Sequence, residues 1–270
     1  MAFVDNQGVK LYWDEQGQGE PILLIMGLGW ASVMWHRSRP VLAERYRTIA
    51  LDNRGVGRSD VPAGPYSIAV MASDAAAVLD AAGVASAHVY GVSMGGMIAQ
   101  EFALQYPSRV RSLILGCTAA GGPTALRAEP EVREVLTRRD LSPDASVAAT
   151  HPFIYDSATP PERLDEDTTI RKQWWPDPIG YMAQLQGIMA WEAYSRLPQI
   201  AAPTLVIHGE TDRLIPPGNA KLIADRIRDA KLVMIPHASH IFPTDQPDLA
   251  HNAVLEFLSA KSDRKHSTQA

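Results

Sequence analysis

Residues 91–96 read Gly-Val-Ser-Met-Gly-Gly and place the pattern Gly-x-Ser-x-Gly around Ser93. A short apolar run rich in strand-forming residues, 87–92, leads into this serine, and a helical pattern over 94–106 follows it. A serine on such a strand-to-helix corner is held in a strained backbone conformation that exposes its hydroxyl. We therefore predict that Ser93 is a nucleophile.

A serine hydroxyl is a weak nucleophile near neutral pH, so it needs a general base and an acidic residue that orients the base. With a serine on this kind of corner, the acid and then the histidine follow along the chain. Asp212 follows an apolar strand pattern at 203–208, and His240 follows the next one at 231–235. We predict a triad of Ser93, Asp212 and His240.

Two neighbouring residues are alternatives for these roles. Glu210 is the nearest substitute for the acid, although it is less well placed to point inward, and His237 could replace the base. His237 lies closer to its strand, where a structural or surface role is expected, whereas a general base needs the reach of a loop. We interpret His208, at the end of a strand, as a packed or hydrogen-bonded histidine of the core.

The tetrahedral intermediate of such a reaction needs backbone N–H groups directed at its oxyanion. Met94, which follows the candidate nucleophile, is expected to supply one of them. The loop 27–30, Gly-Leu-Gly-Trp, follows the strand pattern at 21–26, and its glycines let the backbone approach a substrate closely. We expect the N–H of Leu28 to be the second donor.

The sequence offers no metal or nucleotide motif. It has no His-x-x-x-His pair, no cysteine pair and no carboxylate cluster with ligand spacing. The glycine pairs at 27–29 and 55–57 do not continue into a dinucleotide-binding fingerprint. We therefore expect neither a metal nor a cofactor.

Apolar runs alternate with helical patterns along most of the chain. We predict strands at 21–26, 47–51, 87–92, 110–116, 203–208 and 231–235, and helices near 32–44, 67–82, 94–106, 217–228 and 246–259. Apolar runs without polar alternation are typical of strands buried on both faces of a parallel sheet. The alternating run at 9–13, followed by Gln-Gly-Gln-Gly at 16–19, predicts a hairpin and antiparallel pairing at the start. The fold class is α/β, with a mostly parallel, doubly wound sheet of about eight strands.

Residues 119–200 interrupt this alternation. They contain many prolines and helical patterns at 129–139 and 161–174, but no clear buried strand. A long helical insertion between core strands, at the strand ends where ligands of such sheets bind, is typical of a lid. We expect a core at 1–118 and 201–260, a helical lid at 119–200, and a polar, disordered tail at 261–270.

The composition excludes several other function classes. Of the 270 residues, 46% are hydrophobic and 20% charged, as in ordinary soluble globular proteins. A net charge of −5 without a Lys/Arg cluster argues against nucleic acid as a partner. No apolar stretch approaches the roughly 20 residues that span a bilayer, and no signal peptide is evident. With a single cysteine, Cys117, we expect a cytoplasmic protein whose partner is a small-molecule substrate.

Four segments together resemble the motifs of the α/β-hydrolase superfamily. They are Leu-Asp-Asn-Arg-Gly-Val-Gly-Arg-Ser-Asp at 51–60, the corner at Ser93, Gly-Glu-Thr-Asp at 209–212 and Ala-Ser-His at 238–240. The resemblance extends from residue 1 to about 260 and indicates the serine hydrolase branch. Gly-Pro-Tyr-Ser at 64–67 and Ser-Met-Gly-Gly-Met at 93–97 make the chain most similar to 3-oxoadipate enol-lactonases and to cofactor-free haloperoxidases and esterases.

Two departures qualify this resemblance. Many members carry His-Gly at the oxyanion loop, where this chain has Met26 and Gly27. Ser93 also distinguishes the chain from the related epoxide hydrolases and haloalkane dehalogenases, which use an aspartate there. The resemblance further implies that Asp52 and Arg54 are structural rather than catalytic.

The sequence thus predicts a serine hydrolase that cleaves a carboxylic ester or lactone through an acyl-enzyme. Hydrolysis of a carbon–carbon bond and perhydrolase or haloperoxidase chemistry use the same triad and remain alternatives, as does a non-catalytic ligand-binding receptor. Trp30, Met97, Trp175 and Met189 are candidates for a largely apolar substrate pocket, although such residues equally often pack in a core.

Overall fold

The computed structural model describes residues 2–138 and 140–266. Its strands are β1 (Ala2–Asn6), β2 (Val9–Gln16), β3 (Glu20–Ile25), β4 (Tyr46–Leu51), β5 (Ala87–Val92), β6 (Val110–Gly116), β7 (Thr204–Gly209) and β8 (Lys231–Ile235). Its α-helices are α1 (Ser38–Ala43), α2 (Ile68–Ala81), α3 (Met94–Gln105), α4 (Pro130–Thr137), α5 (Pro143–Ile154), α6 (Pro161–Gln173), α7 (Pro178–Ala190), α8 (Gly218–Ala224), α9 (Phe242–Asp245) and α10 (Pro247–His266).

The strands form one sheet in the order β1-β2-β4-β3-β5-β6-β7-β8. Only the pairs β1–β2 and β2–β4 are antiparallel, and the other five pairs are parallel. The predicted fold class, a mostly parallel sheet of about eight strands with an antiparallel start, is confirmed. The carboxyl ends of β3, β5, β6, β7 and β8 therefore meet at one edge of the sheet.

The hairpin predicted at 16–19 is wrong, because β4 lies between β2 and β3. The hairpin instead joins β1 to β2 through Gln7 and Gly8, both of which have positive φ angles. Gly17 has a different reason to be glycine. A Cβ there would lie 2.4 Å from the carbonyl oxygens of Ala43 and Tyr46, so the chain crosses the end of α1 where only glycine fits.

Helices cover both faces of the sheet, as the apolar strands require. In β5 all six residues are buried. Val89 packs in a cluster with Met71 of α2 and Phe102 of α3, while its neighbour Tyr90 packs in a second cluster with Phe257 of α10. Successive side chains of a strand point to opposite faces, so the two clusters are the two halves of a core divided by the sheet.

The four helices α4 to α7 lie between β6 and β7, within the segment 119–200, which we call the insertion.

The last helix, α10, continues to His266. The backbone of 261–266 is thus helical where the sequence predicted a disordered tail, and 267–270 lie outside the described residues. Within the described residues, no helix combines the length and apolar character that crossing a membrane requires.

Candidate active site

Ser93 lies at the corner between β5 and α3 with φ 57° and ψ −123°. This is a left-handed conformation that residues with a Cβ rarely adopt. The corner closes tightly against its surroundings: a Cβ on Gly91 would lie 2.1 Å from the carbonyl oxygen of Gly95, and one on Gly95 would lie 2.1 Å from that of Ile25. The glycines of the motif therefore allow helix and strand to approach closely around the serine.

Backbone hydrogen bonds hold this strained corner in place. The N–H of Ser93 donates to the carbonyl of Gly116 at the end of β6, at 2.9 Å. The buried hydroxyl of Thr118 donates to the carbonyl of Ser93 at 2.7 Å. Both partners come from the strand end next to β5, so the sheet edge itself fixes the position of the serine.

Asp212 and His240, the acid and base expected from the sequence, are in direct contact in the structure. Asp212 follows β7 and His240 follows β8, and Nδ1 of His240 lies 2.8 Å from Oδ2 of Asp212. The other carboxylate oxygen, Oδ1, accepts the backbone N–H groups of Leu214 and Ile215 at 2.8 and 2.9 Å. Both side chains are buried, with exposed fractions of 0% for Asp212 and 5% for His240.

The environment of Asp212 keeps its carboxylate ionised. Burial alone would raise the pKa of this group, but the charge of His240 and the hydrogen bonds from His208 and His240 outweigh it, and the pKa is lowered to about 2. An ionised carboxylate at this position accepts a hydrogen bond from the Nδ1–H group of His240 and leaves Nε2 of that ring able to act as a base.

The cavity over the sheet edge joins Ser93 and His240, both of which line it. Asp212 does not line it and reaches the cavity only through His240. The two alternatives from the sequence lie elsewhere: Glu210 and His237 are exposed, and the carbonyl of His237 accepts a hydrogen bond from Gln246.

His208 makes a contact with Asp212 that the sequence did not reveal. The ring is completely buried, and its Nε2 lies 3.0 Å from Oδ2 of Asp212 and 2.9 Å from the carbonyl oxygen of Ile215. His208 is thus a hydrogen-bonded histidine of the core, in agreement with its interpretation. The position of His208 at the end of β7, four residues before Asp212, was the available signal for this contact.

The loop after β3 lies close to Ser93. A Cβ on Gly27 would lie 3.0 Å from Cβ of Ser93, so the glycine permits this approach. Leu28 and Met94, the two predicted oxyanion donors, both line the cavity. The N–H of Gly29 donates to Oε1 of Gln184 at 2.9 Å. The insertion therefore holds the loop that carries Leu28, and Gln184 is a site residue that sequence reasoning missed.

The cavity has a volume of about 730 Å³ and mainly apolar walls. The four candidate pocket residues all line it: Trp30, Met97, Trp175 and Met189. Met189 is otherwise largely exposed, with 79% of its surface accessible. The guanidinium of Arg171, from α6, lies 5.3 Å from the ring centroid of Trp30 and 5.0 Å from that of Trp175. This wall of the cavity therefore combines aromatic surface with a positive charge.

Asp245 links the loop of His240 to the insertion. Its carboxylate accepts the backbone N–H of Ser239 at 2.7 Å, the hydroxyl of Thr159 at 2.6 Å and the N–H of Asp156 at 3.3 Å. Burial raises the pKa of Asp245 to about 6, although these hydrogen bonds act in the opposite direction.

The segment 52–60 has a structural role here, as the resemblance implied. The buried carboxylate of Asp52 accepts both the N–H and the hydroxyl of Ser32 at 2.7 and 2.6 Å, and it also pairs with Arg58. Arg54 pairs with Asp74 through two hydrogen bonds of 2.6 Å.

Among the described residues, no group of three or more His, Cys, Asp or Glu side chains is arranged to hold a metal ion.

Comparison with known proteins agrees with this architecture. A protein of Azorhizobium caulinodans, named provisionally as the carbamate hydrolase RutD, is 34% identical over 95% of this chain and 98% of its own length. The enol-lactonase of Burkholderia xenovorans LB400 superimposes with a TM-score of 0.86 at 27% identity, covering 96% of this chain and all of the other. A thermophilic esterase of Thermogutta terrifontis gives a TM-score of 0.83 at 29% identity, over 96% and 98% of the two chains.

The family model described as the alpha/beta hydrolase fold matches residues 20–247, which is most of the chain. These residues include the Ser93 corner, Asp212 and His240. The chain belongs to the α/β hydrolase fold family and is an enzyme of that family.

Proposed function

We propose that this protein is a serine hydrolase that cleaves a carboxylic ester or lactone of a small, largely apolar substrate through an acyl-enzyme. The proposal rests mainly on the 2.8 Å hydrogen bond between Asp212 and His240. His240 lines the same cavity as Ser93. The strained corner at Ser93 supports it, because such strain persists only where the surrounding structure enforces it.

The proposed reaction begins with attack of Ser93 Oγ on the substrate carbonyl carbon, while Nε2 of His240 takes the hydroxyl proton. The tetrahedral intermediate collapses when His240 returns this proton to the leaving alcohol oxygen. A water molecule, activated by the same imidazole, then releases the acid and restores Ser93. Throughout, the carboxylate of Asp212 orients the ring and stabilises its cationic form.

The N–H groups of Leu28 and Met94 stabilise the oxyanion in this proposal. Their two loops meet where Gly27 approaches Ser93, and backbone donors fixed in a water-poor site stabilise a developing negative charge strongly. Removing one such donor in a comparable site costs about 3 to 4 kcal/mol of transition-state stabilisation.

The insertion serves in this proposal as a lid that selects substrates. Its residues Tyr181, Leu185 and Ile188 line the cavity together with Trp175. A cavity with mainly apolar walls and a few polar groups suits an apolar acyl or alcohol group. The core then supplies the chemistry, while the lid determines which esters reach Ser93.

The relatives favour esters and lactones, and one of them adds carbamates as a second candidate class. The protein of Azorhizobium caulinodans carries the name of a carbamate hydrolase. A carbamate contains an acyl carbon open to the same attack, and its product would be a carbamoyl-enzyme. Carbon–carbon bond hydrolysis, perhydrolysis and a receptor without turnover are the remaining alternatives.

A substrate panel separates these functions. Purified protein would be assayed with p-nitrophenyl esters of increasing chain length, lactones, carbamates, a β-diketone, and an ester with hydrogen peroxide. We expect turnover of short esters or lactones, and its loss in Ser93→Ala with an unchanged circular dichroism spectrum. A fluorophosphonate should label Ser93 stoichiometrically in the wild type. Undiminished esterase activity in Ser93→Ala would falsify the mechanism, and a failure of labelling would favour the receptor.

A further inference from the structure

The carboxylate oxygen that contacts His240 is shared with a second histidine. Oδ2 of Asp212 lies 2.8 Å from Nδ1 of His240 and 3.0 Å from Nε2 of His208. Neither His208 nor Asp212 lines the cavity, so His208 lies behind the acid, on the side away from the substrate. It is fully buried, and a surface ion pair is therefore not the reason for the contact.

The hydrogen bonds of His208 define which ring nitrogen carries the proton. Its Nε2 is also 2.9 Å from the carbonyl oxygen of Ile215. A carbonyl oxygen and an ionised carboxylate only accept hydrogen bonds, so Nε2 carries the hydrogen and donates to both. Nδ1 is buried and has no hydrogen-bond partner among the described residues. The ring therefore makes its hydrogen bonds through Nε2 alone.

The same arrangement fixes the carboxylate group. The N–H groups of Leu214 and Ile215 hold Oδ1, and His208 holds Oδ2. With Oδ1 alone held, the side chain could still pivot about that oxygen and move Oδ2 relative to His240. The contact to His208 removes this freedom, and the bond from His208 to Ile215 ties the ring to the same turn.

We infer that His208 is a positioning residue, which fixes Oδ2 of Asp212 for His240 and draws part of the carboxylate charge away from the base. This inference rests on the proposed function, and deepens it by naming a residue that acts through Asp212. The two effects have separable consequences. Loss of position lowers kcat, whereas loss of the competing donor leaves more negative charge facing His240 and favours its protonated form.

Two variants separate positioning from a merely structural role. His208→Leu removes the donor and keeps an apolar side chain in the core, while His208→Gln can place an amide N–H near the position of the imidazole Nε2. We expect kcat to fall about tenfold or more in His208→Leu, as a small misplacement of catalytic groups does. KM should stay within about twofold, since His208 does not line the cavity. The acid limb of the plot of kcat against pH should move to higher pH in His208→Leu. His208→Gln should restore most of the wild-type kcat and most of the wild-type pH profile.

His88→Leu is the matched control, since His88 is also buried, on β5, and contacts Ser112 rather than the site. It should lower the Tm without moving the pH profile. A His208→Leu protein with the wild-type kcat and pH profile would overturn the inference, and so would a folded His208→Gln protein that behaves like His208→Leu.

A measurement that needs no turnover distinguishes this inference from the proposed function. Proton NMR of the wild type should show downfield N–H signals for the hydrogen bonds from His208 and His240 to Asp212. In His208→Leu the signal from His208 should disappear, and the signal from His240 should shift both in position and in its dependence on pH. If the wild type hydrolysed nothing in the panel, the proposed function would fail, while this coupling would stand. An unmoved His240 signal would overturn the coupling even in an active enzyme.

Discussion

The N–H of Gly29 donates to Oε1 of Gln184 at 2.9 Å, across 155 positions of sequence. The amide nitrogen of the same side chain donates to the carbonyl of Arg54 at 2.8 Å, and Gln184 is completely buried. One residue of α7 therefore joins the loop that carries Leu28 to the structural segment 52–60. The insertion both contributes to the cavity walls and holds one half of the proposed oxyanion site.

Replacement of Gln184 should accordingly impair chemistry rather than binding. Gln184→Leu leaves the N–H of Gly29 and the carbonyl of Arg54 buried without partners, at a cost of about 1 to 3 kcal/mol each. We expect a lower Tm and a fall in kcat of about tenfold, because Leu28 loses its fixed position. Gln186→Leu, an exposed position on the same helix, should leave kcat unchanged. Equal kinetics for the two variants would argue against this role.

The strain at Ser93 should be measurable as stability. At φ 57° and ψ −123°, any residue with a Cβ at position 93 strains the folded protein by on the order of 1 to 3 kcal/mol. Glycine avoids this strain, but its greater freedom in the unfolded chain lowers the free energy of unfolding by about 0.5 to 1 kcal/mol. We expect Ser93→Gly to be more stable than Ser93→Ala by about 1 kcal/mol in urea denaturation. At Ser73, inside α2, the order should reverse, because alanine is the better helix former. If the glycine variant were the more stable one at both Ser93 and Ser73, or at neither, the measured stabilities would contradict backbone strain at Ser93.

Much of this site could be predicted because its signals are local. The Gly-x-Ser-x-Gly corner lies between a fully buried strand and a helix, and both are visible as patterns in the sequence. Asp212 and His240 each follow an apolar strand, so their meeting follows from the parallel sheet. Their 2.8 Å contact is what the order of elements predicts.

The remaining features depend on contacts between distant segments. Gln184 has no motif around it, and its role arises only when α7 packs against the loop of Gly29. The glycine pattern at 16–19 predicts a hairpin in the sequence, because a turn and a close approach to another backbone both require glycine. The strand order and the carbonyl oxygens of Ala43 and Tyr46 beside Gly17 show that the close approach is the reason here.

The charge of Arg171 should influence which esters are cleaved. Its guanidinium lies over the rings of Trp30 and Trp175 on the cavity wall, where a positive charge attracts an anionic acyl group. We expect Arg171→Met to lower kcat/KM for a succinate monoester about tenfold relative to a neutral butyrate ester. Lys172→Met removes the adjacent positive charge, which does not line the cavity, and should leave this ratio unchanged. A ratio unaffected by Arg171→Met would place anion selection elsewhere.

The link between the His240 loop and the insertion should make stability depend on pH. Burial raises the pKa of Asp245 from 3.8 to about 6, with the nearby Asp156 acting in the same direction. The protonated form is thus favoured in the folded protein. The resulting stabilisation is complete below about pH 4, near the unfolded value, and is lost as the pH rises through about 6.

The comparison of wild type with Asp245→Asn isolates this effect, because other titrating groups are common to both proteins. The pKa change corresponds to at most about 3 kcal/mol. We therefore expect the free energy of unfolding of the wild type, relative to Asp245→Asn, to decrease by up to this amount between about pH 4 and 7. The lowered pKa of Asp212, about 2, acts with the opposite sign only below about pH 4 and leaves this interval clear. A difference between the two proteins that stays constant with pH would show that the link of Asp245 to Ser239 and Thr159 does not titrate in this range.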